Sequence, residues 1–563
     1  VRLALVDLTD RGQQPLWSAD GRVAIVFNGE MYNHAEHRAR LKAKGFTFKS
    51  DSDTEVVLAL YLERGLEFVE AVRGMFALAV LDFRERGLEA TPKLVLARDP
   101  FGIKPLYLTR RGEGLCFASE LRALVTAKLA STQVNREALA DYLTFGFVLQ
   151  PRTMLEGVTM LERGTVRVEE AGKPTREHRF WLMPAASDRG EDFRAASLRL
   201  REVLEDSVRL HALADAPVGA FLSGGVDSSS IVALMAKHNA KLRTYTLKLK
   251  DAAQDESHYA RDFAEQLGCV HTELEVGDGE VADLYVRFGA ALDQPSTDGF
   301  NTWLISRAAA RDVKGVVSGL GGDEWFGGYP VIQRMKYLGG AVQAAGRVAS
   351  RLGALVPDSL GELAARAQSR ASPLEMWSAA HRVFREREVA ALIGHAAGSG
   401  AERLARTLDT RLGDLDPVDL GCQLDVWAYM GCQLLRDSDV TSMASSLELR
   451  VPLVDVEVAA AARSIDARHK VERGALPPSK RVLVEAVRDV LPADIHQRPK
   501  RGFALPYAAW VDGPLQGLSR ELRSSLSRRG LLADVPARPG LTQTWALMAL
   551  ELWCAAMEQH ARA

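Results

Sequence analysis

The chain has few cysteines, and they show no arrangement that would bind a metal. None of the five is part of a Cys-x-x-Cys pair or a zinc-ligand spacing: Cys116, Cys269, Cys422, Cys432 and Cys554. Scattered cysteines of this kind are typical of proteins in a reducing compartment. The sequence therefore predicts free thiols in a cytoplasmic protein, with neither a disulfide framework nor a zinc site.

Long apolar runs and an excess of charge of one sign are also absent. The longest apolar runs, such as residues 75–81, are far shorter than the roughly 20 residues that span a bilayer. Charged residues interrupt residues 1–11, so no signal peptide is visible there. The 71 Lys and Arg nearly balance the 73 Asp and Glu, which gives a net charge of −2. We expect no membrane span, and no nucleic-acid partner attracted by a global basic charge.

The first part of the 563-residue chain has the pattern of an α+β domain. Short apolar runs typical of strands occupy residues 23–27, 75–81, 93–97 and 115–118. Helical spacing is found at 34–44 and 54–64, with Thr54 as the expected cap of the second helix. The sequence predicts a domain over residues 1–180 in which helices cover antiparallel strands.

The second part changes to alternating strand and helix patterns. Residues 169–194 between the two parts are polar and irregular and contain Gly172, Pro174 and Pro184, as a domain boundary would. Strand patterns at 218–222, 242–249 and 313–317 alternate with helix patterns, and a largely helical extension follows. This alternation predicts an α/β domain with a parallel sheet over residues 191–563.

The clearest motif follows the strand pattern at 218–222 and opens a helix pattern. It consists of Leu222, Ser223, Gly224, Gly225, Val226, Asp227 and Ser228. Two glycines allow the backbone to turn sharply at the carboxyl edge of the sheet, where α/β proteins bind ligands. Successive backbone N–H groups and the positive end of the next helix favour an anion. The turn therefore predicts a phosphate-binding site.

This turn lacks the Gly-x-x-x-x-Gly-Lys-Ser/Thr pattern, so transfer of a γ-phosphoryl group is not implied. Asp227 places a carboxylate beside the expected phosphates, which is unfavourable unless a cation such as Mg²⁺ bridges them. A second glycine-rich turn follows the strand at 313–317 and contains Ser318, Gly319 and Asp323. Asp227 and Asp323 predict a shared Mg²⁺ site, although Asp323 is equally explained as a helix cap.

Lys480 opens a helix pattern, where a positive charge opposes the helix dipole. This placement favours a functional interpretation over a solvated helix face.

Together, these motifs resemble the asparagine synthetase family of glutamine-hydrolysing enzymes. The matching segments are residues 27–33, 52–55, 97–107, 223–228, 318–329, 442–455 and 480–503. The resemblance implies a class II glutamine amidotransferase domain of the αββα Ntn-hydrolase type, joined to an ATP-pyrophosphatase synthetase domain. It also implies ATP-dependent amide synthesis that forms AMP and pyrophosphate, with ATP and Mg²⁺ as cofactors. Aspartate is the implied acceptor, and glutamine or ammonia the implied nitrogen donor.

The resemblance also implies roles for individual residues. Arg2, Asn28, Gly29, Glu30 and Asp53 match positions that hold glutamine. Residues 222–228, with Ser318 and Gly319, match positions that bind ATP and pyrophosphate. Asp227 and Asp323 match the positions that bind Mg²⁺, and Lys480 matches a catalytic lysine that stabilises charge during adenylation.

The chain departs from the family at its start. Glutaminases of this class use an N-terminal cysteine as nucleophile, but the chain starts at Val1 and no cysteine precedes Asn28. We expect the first domain to be truncated and to lack its first strand. As given, the chain is expected to use ammonia and not to hydrolyse glutamine.

Two further departures concern the acceptor. Leu320 occupies a position where many relatives carry an acidic residue, a candidate base for the attacking ammonia. Residues 293–302, which match the region of aspartate recognition, contain no arginine. Alternatives therefore stay open: a tailoring ligase that adenylates another carboxylate, as β-lactam synthetases do, or a non-catalytic homologue. The sequence does not determine the oligomeric state, and a homodimer stays open.

Overall fold

The structure is a computed structural model that describes most of the chain. The described residues are 3–85, 87, 91–187, 190–239, 241–249, 255–337, 373–408, 415–472, 479–492, 494–495, 505–533 and 535–562. Arg2, expected at the glutamine site, lies outside the described residues, as does the segment 496–504.

Antiparallel strands form two sheets in the first part of the chain. The strands are β1 (Leu16–Trp17), β2 (Val23–Met31), β3 (Gly74–Asp82), β4 (Lys93–Arg98), β5 (Tyr107–Arg111), β6 (Gly114–Ala118), β7 (Val158–Met160), β8 (Thr165–Glu169) and β9 (Arg176–Arg179). Among the described residues, the larger sheet has the order β1-β2-β3-β4-β8-β9 and the smaller one β6-β5-β7. An apolar layer that includes Ala79, Leu96 and Leu108 lies between them.

Helices cover the outer face of the larger sheet. The helices of the first part are α1 (His34–Ala43), α2 (Asp53–Arg64), α3 (Leu121–Thr126) and α4 (Arg136–Phe145). Buried residues of α2, such as Val57 and Leu60, pack on Ile25 and Leu78 of the sheet. This arrangement confirms the predicted α+β domain of antiparallel strands covered by helices.

Two local details differ from the sequence-based expectation. The cap of α2 is Ser52 and not Thr54, because the Ser52 hydroxyl accepts the N–H of Thr54, which already belongs to the helix. The expected irregular boundary contains strand β9, which forms a hairpin with β8. The side chains of β9 are mostly exposed and charged, so this strand has no apolar alternation from which it could be recognised.

The second part contains a parallel sheet. Its strands are β10 (Val218–Phe221), β11 (Arg243–Lys248), β12 (Val270–Glu275), β13 (Gly315–Val317) and β14 (Glu448–Arg450). Among the described residues the order is β12-β11-β10-β13-β14, and every neighbouring pair is parallel. The predicted α/β parallel sheet is therefore confirmed.

Helices surround this sheet and form the predicted helical extension. Those before β14 are α5 (Phe193–His211), α6 (Val226–Ala236), α7 (Ser257–Gln266), α8 (Val281–Ala291), α9 (Phe300–Ala309), α10 (Gly322–Phe326), α11 (Pro373–Ala380), α12 (Glu386–Ile393), α13 (Gly400–Thr407), α14 (Pro417–Leu424) and α15 (Leu435–Met443). A π-helical segment, Asp425–Leu434, joins α14 to α15. Those after β14 are α16 (Val456–Arg463), α17 (Ala467–Lys470), α18 (Arg481–Ala486), α19 (Tyr507–Asp512), α20 (Gln516–Arg528) and α21 (Leu541–Arg562).

One large hydrophobic cluster extends across both domains. Tyr107 and Leu139 of the first domain belong to the same buried cluster as Ile231, Phe300 and Trp545 of the second. Buried ion pairs also cross the contact, including Lys104 Nζ to Asp439 Oδ1 at 2.8 Å and Arg73 Nε to Asp455 Oδ2 at 2.9 Å. In the part of the chain that the structure describes, each helix is too short or too polar to cross a bilayer.

Candidate functional site

Residues 222–228, which we call the anion turn, connect β10 to α6. Gly224 has a φ of +78°, a backbone conformation that side chains other than glycine rarely adopt. The Ser223 amide donates to Ser228 Oγ at 3.1 Å, and the two serine hydroxyl oxygens are 3.0 Å apart. These contacts fix the turn at the N-terminus of α6, where the helix dipole is positive. The arrangement matches the predicted strand, turn and helix.

Residues 318–323, which we call the acidic turn, connect β13 to α10 and lie directly against the anion turn. A Cβ atom added to Gly319 would be 2.6 Å from the Ser228 nitrogen. One added to Gly322 would be 2.3 Å from Asp227 Oδ1. Glycine is required at both positions because the two turns leave no room for a side chain. The close approach brings Asp227 and Asp323 to the same edge of the sheet.

Lys480 lies between these two carboxylates. Its Nζ is 2.5 Å from Asp227 Oδ2 and 2.7 Å from Asp323 Oδ1. The N-cap residue of α10 is Gly321, and Asp323 lies in the first turn of the helix. Asp323 is therefore not the helix cap that was the alternative interpretation. Lys480 caps α18 with φ 56° and ψ 23°, and its amide donates to the Phe326 carbonyl oxygen at 3.1 Å. This left-handed backbone conformation directs the side chain into the site at a conformational cost.

Neighbouring carboxylates keep the side-chain amine of Lys480 protonated. Burial alone would lower the pKa of the Lys480 amine, but the negative charges of Asp227 and Asp323 outweigh burial and raise it above its ordinary value. Nearby, the buried Glu324 accepts a hydrogen bond from the Tyr329 hydroxyl at 2.7 Å. Burial, and then the neighbouring Asp323, raise the pKa of Glu324 to about 7. Among the described residues, the protonated Lys480 amine thus lies close to three acidic side chains, those of Asp227, Asp323 and Glu324.

A cavity of about 320 Å³ opens at the carboxyl ends of β10, β11 and β13, and we call it the carboxyl-edge cavity. Predicted residues that line it are Leu222, Ser223, Asp227, Ser228, Ser318, Gly319 and Asp323. Four predicted residues do not line the cavity: Gly224, Gly225, Val226 and Lys480. Lys480 still contacts its wall through the ion pairs with Asp227 and Asp323. Most of the expected nucleotide-site residues thus surround one space.

Other residues of this cavity were not expected from the sequence. Thr246 and Leu247 come from the end of β11, and Ile305 comes from α9. Asn301 and Thr302 of α9 also line the cavity, and they end the region that matches aspartate recognition. The carboxyl ends of neighbouring parallel strands meet at one edge, so the strand pattern could have identified the first pair. Ile305 carries no such signal, because its place in the cavity depends on tertiary packing.

The acidic groups fit a magnesium ion only together with a ligand. No cluster of three or more acidic, histidine or cysteine side chains that could bind a metal is found among the described residues. Asp227 and Asp323 supply two carboxylates. Proteins commonly bind Mg²⁺ through one or two carboxylates together with substrate phosphates. The donor set is therefore compatible with Mg²⁺ bound jointly by protein and nucleotide.

A larger cavity of about 720 Å³ is lined mainly by residues of the first domain, together with Met443 and Glu448 of the second, and we call it the first-domain cavity. The predicted residues Asn28, Gly29, Glu30 and Asp53 line it. Asn28 Nδ2 donates to Ser119 Oγ at 3.1 Å, and Asp53 Oδ2 accepts the amide of Met31 at 2.8 Å. None of the five cysteines of the chain lines this cavity.

Known families and proteins match both domains. The model of the Asparagine synthase family matches residues 199–555, and that of the Glutamine amidotransferase domain matches residues 1–181. A protein of Mycobacterium tuberculosis strain H37Rv named as a putative glutamine-hydrolyzing asparagine synthetase is 31% identical, over 99% of this chain and 89% of its own length. Glutamine-hydrolyzing asparagine synthetase 1 of Bacillus subtilis is 29% identical, over 92% of this chain and 82% of its own.

A relative with a different name is nearly as similar. A protein of Gibberella zeae named Amidase chry2 is 27% identical, over 93% of this chain and 83% of its own length. The family match covers more than half of the chain and agrees with the parallel sheet of the second domain. This chain belongs to the asparagine synthase family.

Proposed function

We propose that the chain forms an amide from a carboxylic acid and ATP, with release of AMP and pyrophosphate. A carboxylate oxygen of the acid attacks the α-phosphorus of ATP, the bond to the β-phosphate breaks, and pyrophosphate leaves. Ammonia then attacks the acyl carbon, loses a proton, and displaces AMP together with the former carboxylate oxygen. The observation that supports this proposal most strongly is Lys480 held between Asp227 and Asp323 beside the anion turn.

In this proposal, residues of the anion turn bind the pyrophosphate portion of ATP. The hydroxyl groups of Ser223 and Ser228 and the N-terminus of α6 favour phosphate oxygens. Ser318 and Gly319 form the facing wall of the cavity. Leu222 lies at the start of the turn and contributes apolar surface to the same cavity.

Lys480 has the proposed catalytic role of stabilising negative charge at the attacked phosphate. Its raised pKa keeps the amine protonated at neutral pH. A preorganised cation in a buried site stabilises developing charge far better than a mobile solvent ion does. The adjacent Asp227 and Asp323 hold the ammonium group in place before ATP binds.

Asp227 and Asp323 would also hold Mg²⁺ through their carboxylate oxygens when nucleotide is bound. The ion would neutralise phosphate charge and orient the leaving pyrophosphate. The chain contributes by keeping both carboxylates at the mouth of the anion turn, with Gly322 and Gly328 leaving room for them.

Aspartate, with asparagine as product, is the proposed acceptor, in line with the names of the bacterial relatives. A second candidate is a tailoring ligase for a different carboxylic acid. Leu320 favours this candidate, because it lines the same cavity as Ile305 and contributes an apolar side chain to it. The relative named as an amidase also agrees with an acceptor other than aspartate.

We propose the first-domain cavity as a glutamine site that Asn28, Gly29, Glu30 and Asp53 line. Hydrolysis of glutamine in this class requires a thiol nucleophile, and none of the chain's cysteines lines the cavity. Glutamine or ammonia is the proposed nitrogen donor, and ammonia is the donor that needs no thiol in this cavity.

A panel of acceptors tests the proposed function. The protein is incubated with ATP, Mg²⁺, ammonium and one acid at a time, and pyrophosphate and AMP are quantified. We expect equal amounts of both products with aspartate, and no stimulation when glutamine replaces ammonium. Turnover only with another acid, such as an apolar carboxylic acid, supports the second candidate. Absence of pyrophosphate with every acid contradicts the ligase proposal.

The Asp227→Ala variant is the control for this panel. It removes one carboxylate from the anion turn, and we expect it to keep its fold but lose pyrophosphate release. Turnover close to that of the unmodified protein would exclude the proposed role of Asp227.

A further inference from the structure

Arg450 lies within a buried group of charged side chains between the two domains. Its Nε donates to Glu448 Oε1 at 2.8 Å, and its Nη1 donates to the carbonyl oxygens of His211 and Leu213 at 2.9 and 2.6 Å. Its Nη2 faces Glu30 Oε2 of the first domain at 3.4 Å. The arginine side chain is 0% exposed. Because a buried guanidinium is costly without partners, these contacts hold it in one position.

The main chain of Arg450 supports the carboxyl-edge cavity. Arg450 ends β14, which pairs with β13 so that Arg450 lies opposite Val317. Its carbonyl oxygen accepts a hydrogen bond from the Ser318 amide at 2.9 Å. Ser318 lines the cavity, and the next residue, Gly319, is in close contact with the anion turn. A displacement of Arg450 would therefore move the wall of this cavity.

The partners of the Arg450 side chain belong to the other cavity. Glu30 and Glu448 both line the first-domain cavity, on opposite sides of the domain contact. Lys104 lines it as well, but its charge is already paired with Asp439 of the second domain at 2.8 Å. Arg450 is therefore in direct contact with the walls of both cavities, through its side chain for one and its carbonyl oxygen for the other.

We propose that Arg450 is a positioning residue that connects the two cavities. Carboxylates of the first-domain cavity hold its side chain, and its carbonyl oxygen holds Ser318 in the wall of the carboxyl-edge cavity. A change of charge at Glu448 therefore weakens ligand binding at a cavity that Glu448 does not line. Identification of that cavity as the nucleotide site rests on the proposed function.

Hydrogen exchange and ATP binding test this connection in the Glu448→Gln variant of the full chain. The substitution keeps the shape of the side chain and removes the charge that holds Arg450 Nε. Peptides that cover residues 315–322 report hydrogen exchange at the Ser318 amide. We expect this amide hydrogen to exchange roughly fivefold to tenfold faster than in the unmodified protein. We expect the Kd for ATP to rise by a similar factor, while kcat at saturating ATP stays within about twofold.

Glu30→Gln should change exchange and ATP binding in the same direction but less, because the contact between Glu30 and Arg450 is longer, at 3.4 Å. Asp206→Asn is the matched control. Asp206 also pairs with an arginine across the domain contact, at 2.6 Å from Arg73 Nη1, but it lines neither cavity. In this variant we expect the amide hydrogens of residues 315–322 to exchange at the same rate as in the unmodified protein. We also expect the same Kd for ATP.

Unchanged exchange at residues 315–322 in a folded Glu448→Gln protein overturns the proposal. So does an equal change in the Asp206→Asn control, since that would indicate general loosening of the domain contact. The exchange measurement needs no turnover. A protein that forms no amide but shows faster exchange only in Glu448→Gln would therefore contradict the proposed function while supporting the role of Arg450.

Discussion

Replacement of Lys480 by methionine is expected to lower kcat/KM for the proposed pyrophosphate release by about a thousandfold. Methionine matches the length and apolar stem of lysine but removes the positive charge that pairs with both Asp227 and Asp323. The two carboxylates then repel each other and the phosphates of the incoming nucleotide. Pyrophosphate formation at ATP concentrations well below KM, with saturating acid, measures the effect.

Lys470→Met is the matched control for this variant. Lys470 is also buried, and its Nζ pairs with Asp419 Oδ1 at 2.7 Å, away from the residues that line either cavity. Both substitutions remove a buried ion pair, which typically costs about 3–5 kcal/mol. We expect both variants to melt at lower temperature and only Lys480→Met to lose activity. If both variants lost activity to a similar extent, the activity loss of Lys480→Met would be explained by reduced stability alone.

The pH dependence of the Lys480 effect follows from its ion pairs. The neighbouring carboxylates outweigh burial and raise the pKa of the Lys480 amine. The stabilisation from these pairs is therefore complete below the unfolded pKa of about 10.4 and is lost only as pH rises through the higher folded value. We expect the ratio of unmodified to Lys480→Met rates to stay constant between about pH 6 and pH 9. A ratio that falls steadily toward pH 9 would show that the amine titrates there.

Gly328→Ala is expected to reduce the rate by at least roughly a hundredfold, although Gly328 itself has no proposed chemical role. A Cβ atom at this position would be 1.8 Å from Asp323 Oδ1 and 2.3 Å from Lys480 Cε. These atoms must move apart, and displacement of catalytic groups by about 1 Å is sufficient for such a loss. Steady-state kinetics measure the loss of rate, and thermal melting measures the loss of stability. We expect the overpacking to lower the free energy of unfolding by about 1–3 kcal/mol.

Gly517→Ala provides the comparison. Gly517 lies on the exposed side of α20, and a Cβ atom there has no neighbour within 4 Å. Alanine in an open helix position stabilises by up to about 1 kcal/mol relative to glycine. We expect unchanged activity and equal or higher melting temperature for this variant. Full activity of Gly328→Ala would mean that Asp323 and Lys480 can shift without consequence, which would contradict their proposed roles.

The anion turn could be predicted because its signal is local. A buried strand, two adjacent glycines and a helix pattern follow one another within residues 218–236, and each obeys a known backbone preference. The same reasoning identified the acidic turn and the alternation of strands and helices. The parallel order of the sheet follows from that alternation.

Other features could not be read from the sequence, because they depend on distant contacts. Strand β14 is three residues long, and two of these, Glu448 and Arg450, are charged. An isolated Glu-Leu-Arg sequence has no strand pattern, and here burial and ion pairing across the domain contact stabilise it. The left-handed conformation of Lys480 is likewise imposed by its surroundings. Tertiary packing likewise brings Ile305 of α9 to the carboxyl-edge cavity.

The contact between the two domains has a consequence for chimeric proteins. Several buried pairs of charged residues divide their members between the domains, among them Lys104 with Asp439, Arg73 with Asp455, and Glu30 with Arg450. If one domain were replaced by that of a relative, each mismatched pair would leave a buried charge without its partner. Removal of one member of such a pair typically costs about 3–5 kcal/mol. A stable hybrid therefore needs matching charges on both sides of the domain contact. When one domain is exchanged, the partner residues in the other domain must be exchanged with it.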